Sequence, residues 1–187
     1  FQLLESQHMG MLMFTSCGWF FDDISGLEST QVMKYASRAI DLVKTSDEKD
    51  LEAELLETLA EANSNDPAHG RGDRIYRRVV KASRMDPSRA AAHYALTVMN
   101  GEGPADDCLF SGIIRPVNQL SLEGRNLKPV LGELVVLEKR TGKKSRRIYL
   151  LLKKSLSDAT CLVSKYDGTL DLKQLALEIR RPLMSED

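Results

Sequence analysis

Cysteine is scarce in this chain, and the three that occur are far apart. Cys17, Cys108 and Cys161 form no C-x-x-C pair and leave an odd count. That excludes a disulfide framework and reads as reduced thiols in a cytoplasmic protein. His8, His69 and His93 stand at no zinc-like spacing to one another or to the thiols, so no metal site is expected. Phosphate-loop chemistry is missing too. Gly101-Glu102-Gly103-Pro104 has neither the lysine nor the spacing of a Walker motif and reads as a linker. No cofactor is therefore expected. Long apolar runs are absent. The longest stretch without Asp, Glu, Lys or Arg, Ser6 to Phe21, contains Gln7, His8, Thr15 and Ser16, too short and too polar to span a bilayer. No basic segment with a small-residue cleavage site opens the chain, so no signal peptide is expected in this stretch. An excess of one charge sign is lacking as well. With 26 Lys and Arg against 27 Asp and Glu, the chain as a whole is not built for nucleic acid or an anionic membrane. No repeat period is visible.

What is present is an ordinary globular composition, 42% apolar and 28% charged over 187 residues, enough for one domain with a real core or two small ones. The chain opens on Phe1-Gln2-Leu3-Leu4, already inside an apolar pattern and without methionine. The expectation is a piece of a longer protein.

The first hundred or so residues carry helical periodicity. Residues 3–14 are apolar around the whole helical circumference, which predicts a buried helix. Ser25-Gly26 breaks the chain, and Ser25 or Ser29 can cap a second helix with Val32, Ala36, Ala39, Ile40 and Val43 on one stripe. Thr45-Ser46-Asp47 ends it and caps a third. There Leu51, Leu55, Leu59 and Ala62 form the stripe and Glu48, Glu52, Glu54, Glu57 and Glu61 an outer face. Residues 63–72 form a loop by composition. Asp73 caps a short helix with Ile75, Tyr76, Val79 and Val80. Asp86-Pro87 starts another through Ala90, Ala91, Tyr94, Ala95 and Val98. Then the period changes. Cys108–Val117, Glu133–Lys139, Arg146–Lys153 and Thr160–Tyr166 read as strands, with a hairpin loop within Lys139–Ser145, and Leu172–Arg180 as a last amphipathic helix. The fold class is α+β: an N-terminal helical bundle of about five helices over residues 1–103, then a small antiparallel β subdomain with a C-terminal helix over 104–187.

Two clusters carry candidate chemistry. Lys139, Arg140, Lys143, Lys144, Arg146 and Arg147 bunch positive charge as nucleic-acid proteins do. A hairpin tip also collects solvated cations, and only Tyr149 stands near them, so nucleic acid is the weaker reading. The second cluster is Trp19-Phe20-Phe21 followed by Asp22-Asp23. Aromatic faces pack on the C–H face of a sugar ring while neighbouring carboxylates accept hydrogen bonds from its hydroxyls. The plainer account puts the three aromatics in a core and has Asp22, Asp23 or Ser25 cap the next helix. The aspartates are no catalytic pair: adjacent side chains diverge by ~100° in a helix and ~180° in a strand, so both cannot flank one glycosidic bond. Cys17 has no basic neighbour to activate it and reads as a buried, inert thiol.

The run from Leu3 to Leu42, continued through "LEAELLETLAEANSNDPAHGRGDRIYRRVV", resembles the uncharacterised C-terminal module that follows the catalytic barrel in proteins similar to glycoside hydrolase family 57, the amylase- and mannosidase-like enzymes. The likeness covers about the first hundred residues and is vague over the strands. In that family a helical segment with the motif Ser-Asp-Trp-Phe-Trp-Trp-Tyr-Gly-Asp-Asp folds back to wall the sugar site. Cys17-Gly18-Trp19-Phe20-Phe21-Asp22-Asp23 looks like a shortened version. Trp19 and Phe20 match directly, Phe21 replaces a tryptophan, the aspartates arrive sooner, and Cys17 and Gly18 stand where Ser and Asp would be. The resemblance implies a substrate-binding wall of Trp19, Phe20, Phe21, Asp22 and Asp23, facing an oligosaccharide or polysaccharide held by an N-terminal catalytic barrel of the same, bacterial, protein. The family's catalytic carboxylates lie on that barrel, so no catalytic residue is expected here and the isolated chain is expected to be inactive. The rival expectation is a structural or interaction module without its own ligand. Either way, apolar surface that faced a barrel predicts self-association through the first helix.

Overall fold

A computed structural model describes residues 1–44, 50–99, 112–122, 129–153, 158–169 and 171–185, and at Trp19, Met99 and 180–185 the backbone alone. The expected strand start at Cys108 and the capping turn Thr45-Ser46-Asp47 lie outside the described residues, as does Gly101–Pro104. The architecture is α+β, helices first and then an antiparallel four-stranded sheet with a helix at the C-terminus. The chain folds as two compact units, Phe1–Arg84 and Met85–Asp187.

In the first unit, α1 (Gln2–Met13), the short α2 (Cys17–Phe20), α3 (Leu27–Val43) and α4 (Leu51–Glu61) are followed by α5 (Gly72–Ile75), which continues as a π-helix over Tyr76–Lys81. The core gathers Met33, Ile75, Tyr76 and Val80, with Ile24, Leu55, Leu56 and Leu59 packed against them. α3 meets α1 and α2 as well as the π-helix. With neighbours on more than one side, its fully buried set is Ser29, Thr30, Met33, Ser37 and Leu42, not the expected Val32 stripe. α4 is capped by Asp50, whose Oδ1 accepts from the Ala53 amide at 3.2 Å.

α1 departs from expectation. Its all-round apolar surface predicts burial, yet only Ser6 and Met9 are buried, while Leu3, Leu4 and Met11 are 61–69% exposed. α1 packs mainly on α3, and one neighbour can cover only one face of a cylinder.

In the second unit, α6 (Pro87–Met99) precedes β1 (Gly112–Ser121), β2 (Val130–Glu138), β3 (Lys144–Lys153) and β4 (Ala159–Lys165), then α7 (Leu172–Ser185). The strands form an antiparallel meander in the order β1-β2-β3-β4. The β2–β3 turn uses Gly142 at φ 70°, a conformation glycine adopts without a Cβ penalty. Asp86 opens α6 as expected, its Oδ1 accepting from the Ser88 and Arg89 amides. Ala90, Ala91, Tyr94 and Ala95 of α6 bury against Leu134, Val136, Tyr149 and Leu151 on one sheet face. On the other face, Leu172 and Ala176 of α7 cluster with Leu131 and, partly buried, Ile148 and Leu150. A sheet covered on both faces explains why β2 and β3 read as near-continuous apolar runs. Gly132 sits opposite Tyr149 in the β2–β3 register. A Cβ there would clash with Cζ, Cε1 and Oη of Tyr149, so the missing side chain is what seats the aromatic.

The division after Arg84 therefore differs from the 1–103 and 104–187 organisation read from periodicity. Periodicity puts α6 with the helical bundle. The structure packs it on the sheet instead, because its small-residue stripe admits the large β2 and β3 side chains.

Candidate functional site

The aromatic–acidic stretch starts on α2. Gly18 lets α2 lie directly on α3: a Cβ there would stand 2.8 Å from Val32 Cγ2. Phe20 is 81% and Phe21 50% exposed. Their rings meet edge to face, centroids 5.2 Å apart at 78°, a favoured aromatic geometry. The account that fills a core with these two phenylalanines is thereby overturned. Trp19 lies in the same helix, but its side chain is outside the described residues.

At Phe21 the backbone turns extended, and the two aspartates part company. Asp23 Oδ1 accepts from the Ser25 amide at 2.8 Å and Oδ2 from the Ser64 hydroxyl at 3.2 Å, while its carbonyl accepts from Ser29 Oγ at 2.8 Å. The Ser25 amide, helped by the Ser64 hydroxyl and opposed by desolvation, holds this carboxyl below the usual carboxylate range. Asp23 is thus a tie between the start of α3 and the loop before α5. The N-cap position of α3 is Gly26, with no side-chain cap, so neither Asp22, Asp23, Ser25 nor Ser29 caps it as predicted. Asp22 is exposed, and its carbonyl accepts from Asn65 Nδ2 at 3.0 Å. The loop that makes these contacts is closed by a bridge between Asn63 and Arg71 and by Ser64 N–H donating to the Gly70 carbonyl at 3.0 Å. At the first position of α2, Cys17 is exposed instead of buried, since α2 is a single turn lying on the surface of α3. Asp73, the expected cap of α5, sits inside that helix and binds Arg71 and Arg77. These bonds, Arg71 first, bring its carboxyl down to about 2.

A second polar cluster carries no sequence motif. Glu52, which the sequence places on an outer Glu-rich face, is 8% exposed. Its Oε1 accepts from Arg84 Nη2 at 2.9 Å and Tyr76 Oη at 3.2 Å, and its Oε2 from Lys44 Nζ at 3.0 Å. Arg84 also donates to Ser37 Oγ at 2.6 Å and pairs with Asp41 at 3.4 Å. Burial pushes the Glu52 carboxyl up, but the Lys44 hydrogen bond and the charges of Arg84, Lys44 and Lys81 outweigh it and bring it down to about 2. The signal lies in the spacing: Glu52 is one helical turn from Leu55 and Leu56 and two from Leu59, so it shares their face.

The basic hairpin is less free than its composition suggests. Arg146 pairs with buried Glu133 and stands 5.5 Å from the centre of the Tyr166 ring. Arg147 is buried, donating to Ser88 Oγ at 3.1 Å and to the Arg146 carbonyl at 2.8 Å. Lys139, Arg140, Lys143 and Lys144 remain exposed. No described helix is long and apolar enough to cross a membrane.

No curated protein and no solved structure was found to match the chain. A family model does match, across residues 1–187, and the chain belongs to that family, described as Domain of unknown function (DUF3536).

Proposed function

We propose that this chain is the auxiliary region of a glycoside-hydrolase-like protein, docking its α1–α2 face on a catalytic barrel and completing the carbohydrate site there. The observation that carries this reading is the solvent-facing Phe20–Phe21 pair, set directly before an exposed carboxylate at Asp22. Exposed large aromatics are costly in a soluble chain unless something covers them, and edge-to-face rings suit the C–H face of a sugar. In this reading Trp19, Phe20 and Phe21 form the platform and Asp22 accepts from a hydroxyl. Asp23, with both carboxylate oxygens already engaged, fixes the turn. Hydrolysis belongs to carboxylates on the barrel, and the isolated chain is inactive. The test is titration of malto- and manno-oligosaccharides into the full-length protein carrying Trp19→Ala or Phe20→Ala. Affinity should fall by on the order of tenfold for each, the scale of one lost aromatic contact; unchanged affinity and turnover in both variants sinks the reading.

A second reading, an interaction module with no ligand of its own, is favoured by the breadth of the apolar surface. Leu3, Leu4, Met11 and Phe14 are as exposed as the aromatic pair. Under it, substitutions on α1 weaken docking while Phe20→Ala leaves sugar binding untouched. Nucleic-acid binding through the hairpin has less support, since Arg146 and Arg147 are engaged within their own unit.

A further inference from the structure

A pocket of about 350 Å³ opens between the α1–α2 connection and the N-terminal half of α3, within the size range of small-molecule sites. Thr15 and Cys17 form one side and Leu27 and Val32 supply apolar wall, with Glu28, Gln31 and Tyr35 completing the lining. Phe20, Phe21, Asp22 and Asp23 do not line it, so it is separate from the aromatic pair. The Thr15 hydroxyl is spent on the Leu12 carbonyl at 2.9 Å. The Glu28 carboxylate, the Gln31 amide and the Tyr35 phenol, all half-buried, have no hydrogen-bond or ion-pair partner among the described residues. Three unpaired polar groups beside apolar side chains are the usual make-up of a ligand site. Of the three, only the carboxylate carries charge, and no cation among the described residues answers it. The Tyr35 ring, which lines the same pocket, can offer a face to a cation.

We propose that this pocket binds a small apolar cation, an aromatic or short alkyl group bearing an ammonium or guanidinium. The apolar body packs on Leu27 and Val32, the cationic head donates to Glu28, and Gln31 and Tyr35 take the remaining hydrogen bonds. This assignment does not depend on the carbohydrate reading.

Cys17 on the wall supplies the readout. The intact chain is treated with N-ethylmaleimide in the presence of benzamidine, benzamide or benzoate, compounds of one shape and three charges, and modification of the Cys17 peptide is followed by mass spectrometry. Benzamidine should slow the reaction saturably, with apparent affinity about fivefold to tenfold above benzamide, the scale of one charge-assisted hydrogen bond in a partly open site. Benzoate should give no protection. Glu28→Gln should bring benzamidine to the level of benzamide, and Tyr35→Phe, which keeps the ring, should cost less. Equal protection by all three compounds would mean an indiscriminate apolar cavity and overturn the proposal. So would no protection by benzamidine, or undiminished protection in Glu28→Gln.

Discussion

Glu52 holds together three parts of the first unit that are distant in sequence, joining Lys44 beyond α3, its own α4, and Tyr76 and Arg84 around the π-helix. Its carboxyl is depressed from an ordinary 4.5 to about 2, so the folded state holds the proton less tightly than the unfolded chain. The stability this confers is complete above about pH 4.5 and is lost as the pH falls through about 2. A depression of this size corresponds to at most about 3 kcal/mol. Lys44 and Lys81 are 45% and 52% exposed, and solvent screening reduces the net to about 1–2 kcal/mol. Glu52→Gln should therefore lower the urea midpoint at neutral pH, and its deficit against the parent should shrink steadily below pH 4.5. A deficit that is constant down to pH 2.5 would show that the loss comes from the amide's NH2 group facing donors such as Lys44 and Arg84, and not from the missing charge. Glu52 is open to recognition from its spacing to Leu55 and Leu59. Arg147 is not, because a basic residue in a Lys- and Arg-rich hairpin carries no mark that its neighbour across space is Ser88.

Among the elements, α1 and α2 with their flanking residues carry most of the large apolar side chains that the described residues of the first unit leave exposed: Phe1, Leu3, Leu4, Met11, Phe14, Phe20 and Phe21. Periodicity identifies α1 as a helix apolar all round, and that much of the local structure is legible. What it does not supply is the number of neighbours, which is a property of the whole assembly. Within this chain α3 is the main one, and Leu4 and Met11 are each 69% exposed. The aromatic stretch divides in the same way. Local chemistry suggests that Asp22 and Asp23 act differently from a catalytic pair. Which of them is tied down depends on Ser64, a contact of long range. An isolated chain with such a face should self-associate, and Leu4→Glu with Met11→Glu should weaken that association by on the order of tenfold per side chain while leaving far-UV helicity unchanged. Light scattering across a concentration series decides it; a strictly monomeric parent at high concentration would count against α1 as a docking face.

For the molecule as a whole, the point at issue is which unit owns α6. An amphipathic stripe says that a helix face is buried and is silent about what buries it. Ala90, Ala91, Tyr94 and Ala95 satisfy a bundle pattern and a sheet-covering pattern equally well in sequence. In space their partners are Leu134, Val136, Tyr149 and Leu151, which among the described helices α6 covers, α7 being occupied on the opposite face. The two possible boundaries therefore make opposite demands on a truncated chain. A fragment of residues 85–187 keeps both helical covers and should unfold cooperatively in urea. A fragment of residues 104–187 leaves one face of β2 and β3 bare. Each large apolar side chain so exposed forfeits about 1.5–3 kcal/mol, and four of them exceed the marginal stability of a domain this small. That fragment should bind a hydrophobic dye, aggregate, and show no cooperative transition. If instead it folds as stably as 85–187, the sheet does not need α6, and the boundary belongs after the helix.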